Sequence, residues 1–464
     1  MLSGQQSRSL AQIFDSDAVL VSESDRTHYG QDWSRFISPD PAAVVFPKEV
    51  SQLKALIALA RSSQIGLVPS GGRTGLSGGA TAANGEIVVS FERMNRVLDF
   101  DADSRMVKVE PGVITQHLQQ FAIDQNLYYP VDFASSGSSH VGGNIATNAG
   151  GIKVLRYGLT REWVAGLEVV TGNGDYLSLN QGLVKNATGI DQRHLFVGSE
   201  GILGFTSSAW MRLTEAPQPL RVMLLAVPSM RIALSVLSIC QSHLNLTAFE
   251  FFSQEALMHV REHLSLSSPL SDAPFYVLCE FEQHRGGEAG LSDAMAVYTK
   301  LSGKSWVSDG VIAQSERENQ SLWRYREGIS EAITSRTPYK HDLAVRISQA
   351  PEFLEAVEAA IQSAALPFEI VWFGHIGDGN VHLNILRPED WSVARFMKAC
   401  QPLGLQIMQV VARFDGSVSA EHGVGLLKKD YLPFSKSDSE RAMMRRIKQV
   451  YDTDGVMNPG KILD

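Results

Sequence analysis

The sequence predicts an α+β fold built from two or three packed units. Its 464 residues amount to about three times the length of a typical single-core domain. Short apolar runs of strand length alternate with segments of helical periodicity. Three glycine-rich loops interrupt the first part of the chain, and this glycine-rich character ends after Pro217 and Pro219. We therefore place a domain boundary near residue 217.

Apolar runs that end at Gly or Pro mark the strands of the first part. They predict strands at 42–46, 65–68 and 86–90, hairpins over 97–110 and 164–179, and a helix at 114–126. In the second part we expect strands at 221–227, 276–282 and 368–373 and helices at 230–243, 286–301 and 352–365. The expected domains are 1–217, 218–418 and 419–464, with the last segment folding back onto the first domain.

Charge and cysteine content exclude several classes of protein. Lys plus Arg number 41 against 50 for Asp plus Glu, so the net charge is -9 and argues against nucleic acid or an anionic membrane as partner. Cys240, Cys279 and Cys400 lie far apart, which argues against a disulfide framework and a thiolate zinc site. No signal peptide and no apolar run of about 18 residues is recognisable. We expect a protein of the reducing cytoplasm.

Glycine-rich loops are the main sign of a cofactor. The loop 69–79 contains five glycines directly after a strand, and its free N–H groups suit phosphate, with Arg73 as an added positive charge. The loops 135–151 and 198–204 are also rich in glycine. A single loop of this kind could be a tight turn without a ligand. Three of them favour a large cofactor that carries phosphate.

Two common nucleotide motifs are missing. No G-x-G-x-x-G lies between a strand and a helix, so a Rossmann site for NAD has no support. The stretch 455–461 nearly matches a Walker A loop, but Ile462 stands where Ser or Thr must hold magnesium. We therefore exclude a P-loop.

A histidine hairpin is the main sign of a metal. Asp378-Gly379 between two apolar runs predicts a two-residue turn that pairs His375 with His382, with Cβ atoms about 5 Å apart. Asn384 should point to the same face as His382. Two imidazoles at this spacing suit zinc or a similar divalent metal. The alternative is a pair of ordinary surface histidines beside a turn.

A metal site needs a third ligand, and the stretch 419–425 offers Glu421 beside His422. Two histidines and one carboxylate would leave an open coordination position for a substrate oxygen. His422 could then serve as a general base.

A third cluster suits a carboxylate. Arg326 and Ser330 lie four residues apart, which on one helix places them on one face, and Lys340 follows 14 residues after Arg326. From spacing alone, a solvated helical face is the simpler interpretation.

Together these motifs resemble the flavoprotein family of vanillyl-alcohol oxidase and para-cresol methylhydroxylase, specifically its D-2-hydroxyacid dehydrogenase branch. The resemblance runs from about residue 40 to the C-terminus and rests on six motifs in order. They are 69–75, 142–151, 198–201, 374–382, 421–423 and 458–461. It implies a two-part FAD-binding domain, an α+β substrate or cap domain, and a C-terminal segment that returns to the flavin and completes the active site.

The resemblance also implies the cofactor contacts, with FAD held without a covalent bond. The first loop would contribute Pro69, Ser70, Gly71, Gly72, Arg73, Thr74, Gly75 and Ser77. The second would contribute Ser135, Gly137, Ser138, Gly142, Gly143, Asn144, Thr147, Gly150 and Gly151. Further contacts would come from Glu200, Ile202 and Asn458.

For the reaction, the resemblance implies zinc-assisted oxidation of a D-2-hydroxyacid, with hydride transfer to flavin N5. D-2-hydroxyglutarate is the expected substrate and 2-oxoglutarate the product. Zinc would be bound by His375, His382 and Glu421, and His422 would be the catalytic base. The distal carboxylate of the substrate would be held by Arg326, Ser330 and Lys340, with Asn384 nearby. The family commonly has Thr where Ser330 stands, so the hydroxyl is kept.

Other functions remain open at this point. Within the same chemistry, the enzyme could act on D-lactate or glycolate without needing Lys340. In another class, the chain could be a flavin-bearing electron carrier, although a carrier has no use for an open metal site. A transferase of the alkyl-glycerone-phosphate synthase branch is a more distant alternative. An electron-transfer flavoprotein or a quinone is the expected electron acceptor, and the branch allows a homodimer.

Overall fold

The computed structural model describes residues 2–283 and 288–463, without the side chains of 288–290. It contains two compact units. The first runs up to Gly150 and continues over Gly158–Ala216 and from Glu421 onward, and the second comprises Gly151–Tyr157 and Pro217–Ala420. The short segment Gly151–Tyr157 has no counterpart in the division expected from the sequence. That three-part division, 1–217, 218–418 and 419–464, stays a prediction.

The first unit contains two sheets within the described residues. One has the order Val19–Leu20, Ala43–Val45, Ile87–Ser90 and Leu67–Ser70, with the last three strands parallel. The other is antiparallel, in the order Val97–Asp101, Met106–Val109, Gly204–Arg212, Val164–Thr171 and Tyr176–Leu179. The α-helices are Gly4–Ile13, Glu23–Tyr29, Val50–Ser63, Thr115–Asp124, Val141–Thr147, Thr160–Trp163, Arg193–Phe196 and Asp438–Tyr451.

The second unit is built on one antiparallel sheet, as far as its described residues show. Its strand order is Asp309–Ile312, Leu220–Val227, Phe275–Glu282, Asn245–Ser253, Glu369–Gly374, Asn380–Leu386 and Tyr339–Ala344. The α-helices are Val154–Tyr157, Met230–His243, Gln254–Leu264, Glu288–Gly303, Glu316–Glu327, Ile329–Ala332, Ala350–Gln362 and Val393–Arg413. Short 3₁₀ helices in the two units are Ser16–Ala18, Phe91–Arg93, Thr334–Arg336, Ile347–Gln349 and Lys429–Phe434.

Most predicted elements are confirmed within a few residues, and the mixed α and β class is confirmed with them. The helix expected at 286–301 begins at Glu288, since residues 286 and 287 lie outside the described residues. The strand Asn245–Ser253 and the helix Gln254–Leu264 were not predicted. The strand was missed because it is buried over nearly its whole length and therefore lacks the alternation that marks a half-exposed strand.

The hydrophobic core of the second unit holds this missed strand in place. Phe252 stacks on Tyr276 of the neighbouring strand, with ring centroids 5.4 Å apart. Ser253 caps the following helix by accepting the N–H of Ala256. Complete burial of a Phe side chain contributes about 1.5–3 kcal/mol. The strand is therefore a fixed frame for the polar side chains that it carries.

The C-terminal segment is part of the first unit. Leu67 donates its N–H to Val456 and accepts that of Asn458, so the segment extends the parallel sheet beside Leu67–Ser70. The buried carboxylate of Asp452 accepts the N–H groups of Val456 and Met457, each at 3.0 Å. Among the described residues, no helix combines the length and the apolar character needed to cross a lipid bilayer.

Replacing Asp452 with Ala should destabilise the first unit by about 3 kcal/mol, because two buried N–H groups and the ammonium of Lys448 lose their acceptor. Differential scanning calorimetry would record the lower melting temperature. Asp454→Ala is the matched control, since its ion pair with Arg61 lies at the surface and contributes about 0–1 kcal/mol. Equal shifts in both variants would contradict the role of Asp452.

Candidate active site

The first two glycine-rich loops contact each other in the first unit. A Cβ atom on Gly72 would lie 2.0 Å from the carbonyl oxygen of Ser138, and one on Gly71 would lie 3.3 Å from the Cβ of His140. Real side chains do not allow the first of these approaches, so position 72 requires glycine. The two loops thus form one continuous backbone surface.

The segment that carries Glu421 and His422 joins this surface. Ser77 donates its hydroxyl to the carbonyl of His422 at 2.8 Å. A Cβ on Gly425 would lie 2.2 Å from the carbonyl oxygen of Ser77. The backbone of His422 is therefore fixed against the first glycine-rich loop.

Glu200 and Asn458 complete the assembly. The buried carboxylate of Glu200 accepts the N–H groups of Val424 at 2.7 Å and Gly425 at 2.8 Å. Burial raises the pKa of this carboxyl group, and the two N–H bonds oppose the shift. The amide of Asn458 donates to the carbonyls of Gly79 at 3.0 Å and Glu200 at 2.7 Å. All three glycine-rich loops and the C-terminal segment therefore meet in one place.

Several buried polar atoms in the first unit have no hydrogen-bonding partner in the described protein, and four of them lie in the glycine-rich loops, on the neighbouring strand or in the C-terminal segment. These four are Oγ of Ser70, Oγ of Ser90, Nδ1 of His140 and Oδ1 of Asn458. Each buried unpaired polar group costs about 1–3 kcal/mol, so such groups are normally satisfied. Burial also lowers the pKa of His140, because the charged imidazolium loses its solvation. These atoms and the glycine surface fit a large polar ligand such as FAD.

Some predicted cofactor residues have protein partners in the structure. The guanidinium of Arg73 pairs with Glu92 at 3.0 Å and lies 4.5 Å above the ring of Tyr29. The side chain of Ile202 packs in the hydrophobic core, and Asn144 donates to Thr115 at 2.6 Å. Any contact of these side chains with FAD stays a prediction.

The histidine hairpin differs from the predicted one. The ladder ends at the pair Phe373–His382, and residues 375–379 form the loop, so the two-residue turn and the pairing of His375 with His382 are wrong. The imidazoles nevertheless meet, with ring centroids 5.3 Å apart at 84°. His375 reaches this position from the loop because its Nδ1 lies 2.8 Å from Oε1 of Glu250.

His375, His382 and Glu421 form a cluster that could hold a metal ion. Each offers one ligand atom, and these atoms all lie within 4.8 Å of one another. Glu421 directly follows Ala420, whose N–H donates to the carbonyl of Asp342 at 3.2 Å. Two imidazoles and one carboxylate are a donor set that zinc accepts, with a position left for another oxygen. The residues present therefore fit the metal.

Two carboxylates stand behind the histidines in the second unit. Oε1 of Glu250 lies 2.8 Å from Nδ1 of His375, and Oδ1 of Asp342 lies 3.7 Å from Nδ1 of His382. Burial opposes the charge of Glu250, but the neighbouring His375 and Arg326 lower its pKa below the usual value. Sequence reasoning missed both carboxylates. For Glu250 the available signal was an acidic residue inside an otherwise apolar strand.

The predicted substrate residues lie in different surroundings. Arg326 is buried, pairs with Glu250 at 2.8 Å and lies 4.8 Å above the ring of Phe373. Ser330 is exposed in the separate helix Ile329–Ala332, so the expected single helix face is wrong. The role of Ser330 stays a prediction.

Lys340 and Asn384 are direct partners on neighbouring strands, on the same face of the sheet as His382. The expected common face of His382 and Asn384 is confirmed. The side chain of Lys340 is exposed at the surface, although the protein around its ammonium lowers its pKa by desolvation.

Known families match most of the chain. A model described as "FAD binding domain" matches residues 41–180, and one described as "FAD linked oxidases, C-terminal domain" matches 216–462. The chain is 49% identical over 454 residues to a D-2-hydroxyglutarate dehydrogenase of Stutzerimonas stutzeri, covering 98% of this chain and 97% of that protein. The chain belongs to the family of FAD-dependent D-2-hydroxyacid dehydrogenases. The resemblance seen in the motifs is thereby confirmed, as are FAD and the oxidoreductase class.

Two further similarities concern the branch of the family to which the chain is similar and the fold of the chain. The chain is 32% identical over 481 residues to a putative mitochondrial D-lactate dehydrogenase of Schizosaccharomyces pombe, covering 99% of this chain and 90% of that protein. Among solved structures, p-cresol methylhydroxylase with substrate bound aligns with a TM-score of 0.76 at 13% identity, over 99% of this chain and 96% of that one. The fold is that of the vanillyl-alcohol oxidase and p-cresol methylhydroxylase family.

Replacing Gly143 with Ala should weaken FAD binding while leaving the protein without FAD as stable as before or slightly more stable. Gly143 lies in the helix Val141–Thr147, and a Cβ there meets no described atom within 4 Å. Alanine in a helix gains about 0.5–1 kcal/mol over glycine. Fluorescence titration with FAD and thermal melting of the protein without FAD would measure the two effects.

Gly303→Ala is the control for this change. It also adds a methyl group to open space at a helix, but in the second unit. Unchanged FAD affinity in Gly143→Ala would refute a cofactor contact at this position.

Proposed function

We propose that this enzyme oxidises D-2-hydroxyglutarate to 2-oxoglutarate with FAD and zinc. The observation that carries the proposal is the cluster of His375, His382 and Glu421, whose ligand atoms lie within 4.8 Å of one another. The 49% identity to a D-2-hydroxyglutarate dehydrogenase supports the choice of substrate.

Each cofactor supplies one part of the chemistry. Zinc, when bound, acts as a Lewis acid on the hydroxyl group of the substrate. FAD, when bound, would supply the acceptor for the C2 hydrogen as hydride, at its N5. We expect FAD to be held without a covalent bond by the loops 69–79 and 135–151.

His422 is the proposed general base. It follows the ligand Glu421 directly, and its backbone is fixed by the hydrogen bond from Ser77. In this role the imidazole takes the proton of the substrate hydroxyl as the C2 hydrogen leaves with its electron pair. Proton and hydride together account for the two electrons and two hydrogens that the hydroxyacid loses.

The proposed site for the distal carboxylate contains Arg326, Lys340 and Asn384, with Ser330 as a further candidate. The charge of Arg326 is shared with Glu250, whereas Lys340 forms no ion pair among the described residues. A cation without a carboxylate partner is the group most available to an anionic substrate. We therefore assign to Lys340 the main part in choosing a dicarboxylate.

D-lactate is the second candidate substrate, because the chain is also similar to a putative D-lactate dehydrogenase. Oxidation of D-lactate or of glycolate would depend on the same proposed metal ligands and the same proposed base. The remaining expectations also stay proposals: an electron-transfer flavoprotein or a quinone as acceptor, a homodimer, and a place in the cytoplasm.

Anaerobic reduction of the flavin tests the substrate. The yellow flavin band should bleach faster with D-2-hydroxyglutarate than with D-lactate, and Lys340→Met should remove this preference by slowing only the dicarboxylate. The change removes the charge and keeps an apolar stem of similar length. Stopped-flow absorbance would follow both reactions.

The possible outcomes separate the candidates. Faster bleaching with D-lactate would make D-lactate the preferred substrate and leave the proposed reaction chemistry unchanged. Bleaching by neither compound would favour an electron carrier. Equal slowing of both substrates in Lys340→Met would rule out its part in specificity.

Replacing His422 with Ala should lower turnover roughly 10²–10⁴-fold, because the substrate hydroxyl loses its general base. Metal analysis of the same sample should still find zinc, since the three proposed ligands remain. His194→Ala changes an exposed histidine of the first unit, is the control and should keep full activity. Near-normal turnover in His422→Ala with zinc bound would rule out its role as base.

A further inference from the structure

Glu250 is a fully buried carboxylate, 1% exposed, that touches two groups of the proposed active site at once. Its Oε1 lies 2.8 Å from Nδ1 of His375, and its Oε2 lies 2.8 Å from Nη2 of Arg326. One residue of the missed strand Asn245–Ser253 therefore contacts both a proposed metal ligand and a proposed substrate anchor.

The sheet explains why Glu250 faces His375. The ladder between the two strands pairs Phe252 with Phe373 and Phe251 with Gly374. Continuing this antiparallel register by one residue sets Glu250 opposite His375. Glu250 thus approaches His375 from a buried strand.

The carboxylate also favours one tautomer of a neutral His375. An ionised carboxylate can only accept hydrogen bonds, so Nδ1 carries the hydrogen and Nε2 keeps its lone pair. The lone pair is what a metal needs from a neutral imidazole. The other oxygen of Glu250 forms an ion pair with Nη2 of Arg326, and Nε of Arg326 is buried without a hydrogen-bonding partner among the described residues.

We infer that Glu250 is a positioning residue that orients His375 for the metal and Arg326 for the distal carboxylate of the substrate. The inference deepens the proposed function and rests on it. Its consequence is a physical link between the metal ligand and the substrate anchor through a single side chain.

Glu250→Gln breaks this link with little change of shape. An amide has one oxygen, so it can serve His375 or Arg326 but not both. If the oxygen turns to Arg326, the NH₂ group faces Nδ1 and favours the tautomer that lacks a lone pair on Nε2. If it turns to His375, the NH₂ group faces the guanidinium. Zn²⁺ affinity should fall roughly 10–100-fold, the usual effect of losing a partner behind a metal ligand.

Glu280→Gln is a closely matched control. Glu280 is 4% exposed, lies on the neighbouring strand opposite Ala248, and so shares a sheet face with Glu250. It also pairs with a cation, Lys153, and accepts hydrogen bonds from Thr247 and Trp323. The control should lose stability to a similar degree and keep the Zn²⁺ affinity of the wild type.

The experiment titrates Zn²⁺ into FAD-loaded protein stripped of metal, in competition with a chromophoric chelator, and records melting temperatures alongside. A second readout is KM for D-2-hydroxyglutarate relative to KM for D-lactate, which should rise in Glu250→Gln because only the dicarboxylate uses Arg326. Equal Zn²⁺ affinity in Glu250→Gln and wild type, or equal loss in both variants, would overturn the inference.

If the proposed function is wrong, the result differs, because the wild type itself then binds no Zn²⁺ at this site.

Should Glu250→Gln fail to fold, Glu250→Asp replaces it. Aspartate keeps the charge but is one methylene shorter, so it reaches only one of the two partners and should also weaken Zn²⁺ binding. Undiminished affinity in that variant would equally overturn the inference.

Discussion

The first unit depends on one buried carboxylate, that of Glu200. Water cannot stabilise its charge, so the structure supplies the N–H groups of Val424 and Gly425. These bonds fix the residues directly after Glu421 and His422, and the backbone oxygen of Glu200 holds Asn458. The third glycine-rich loop therefore positions the segment that bears the proposed base. Without it, the N–H groups of Val424 and Gly425 would lose their acceptor directly after the proposed base.

The sequence was sufficient to predict features that depend on neighbours along the chain. Glycine clusters, turns and apolar periodicity are local, and they predicted the loops 69–79 and 135–151 and most strands. The family match confirms the FAD and dehydrogenase assignments that these motifs suggested. The choice of His375 and His382 as neighbours also proved correct, although the predicted register between them was wrong.

The failures share a cause, namely partners that lie far away in sequence. His375 lies in the loop beyond the ladder pair Phe373–His382, and its Nδ1 contacts Glu250, 125 residues earlier in the chain. An Asp-Gly turn signal cannot contain this information. Likewise, Ser330 is exposed in the short helix Ile329–Ala332, whereas Arg326 is buried against Glu250, which lies far away in sequence. Contacts between residues far apart in sequence therefore determine the geometry of the site, which local sequence patterns could not predict.

The division of the chain has a consequence for how the protein is made. The second unit is nearly continuous over Pro217–Ala420, whereas the first needs residues from both ends of the chain. During synthesis, Glu200 and the strand Leu67–Ser70 emerge more than 200 residues before their partners at 424–425 and 456–458. The first unit therefore reaches its final state only after residues 424–425 and 456–458 have left the ribosome. Loss of even a short C-terminal stretch should leave the earlier part of the chain incompletely folded and prone to association.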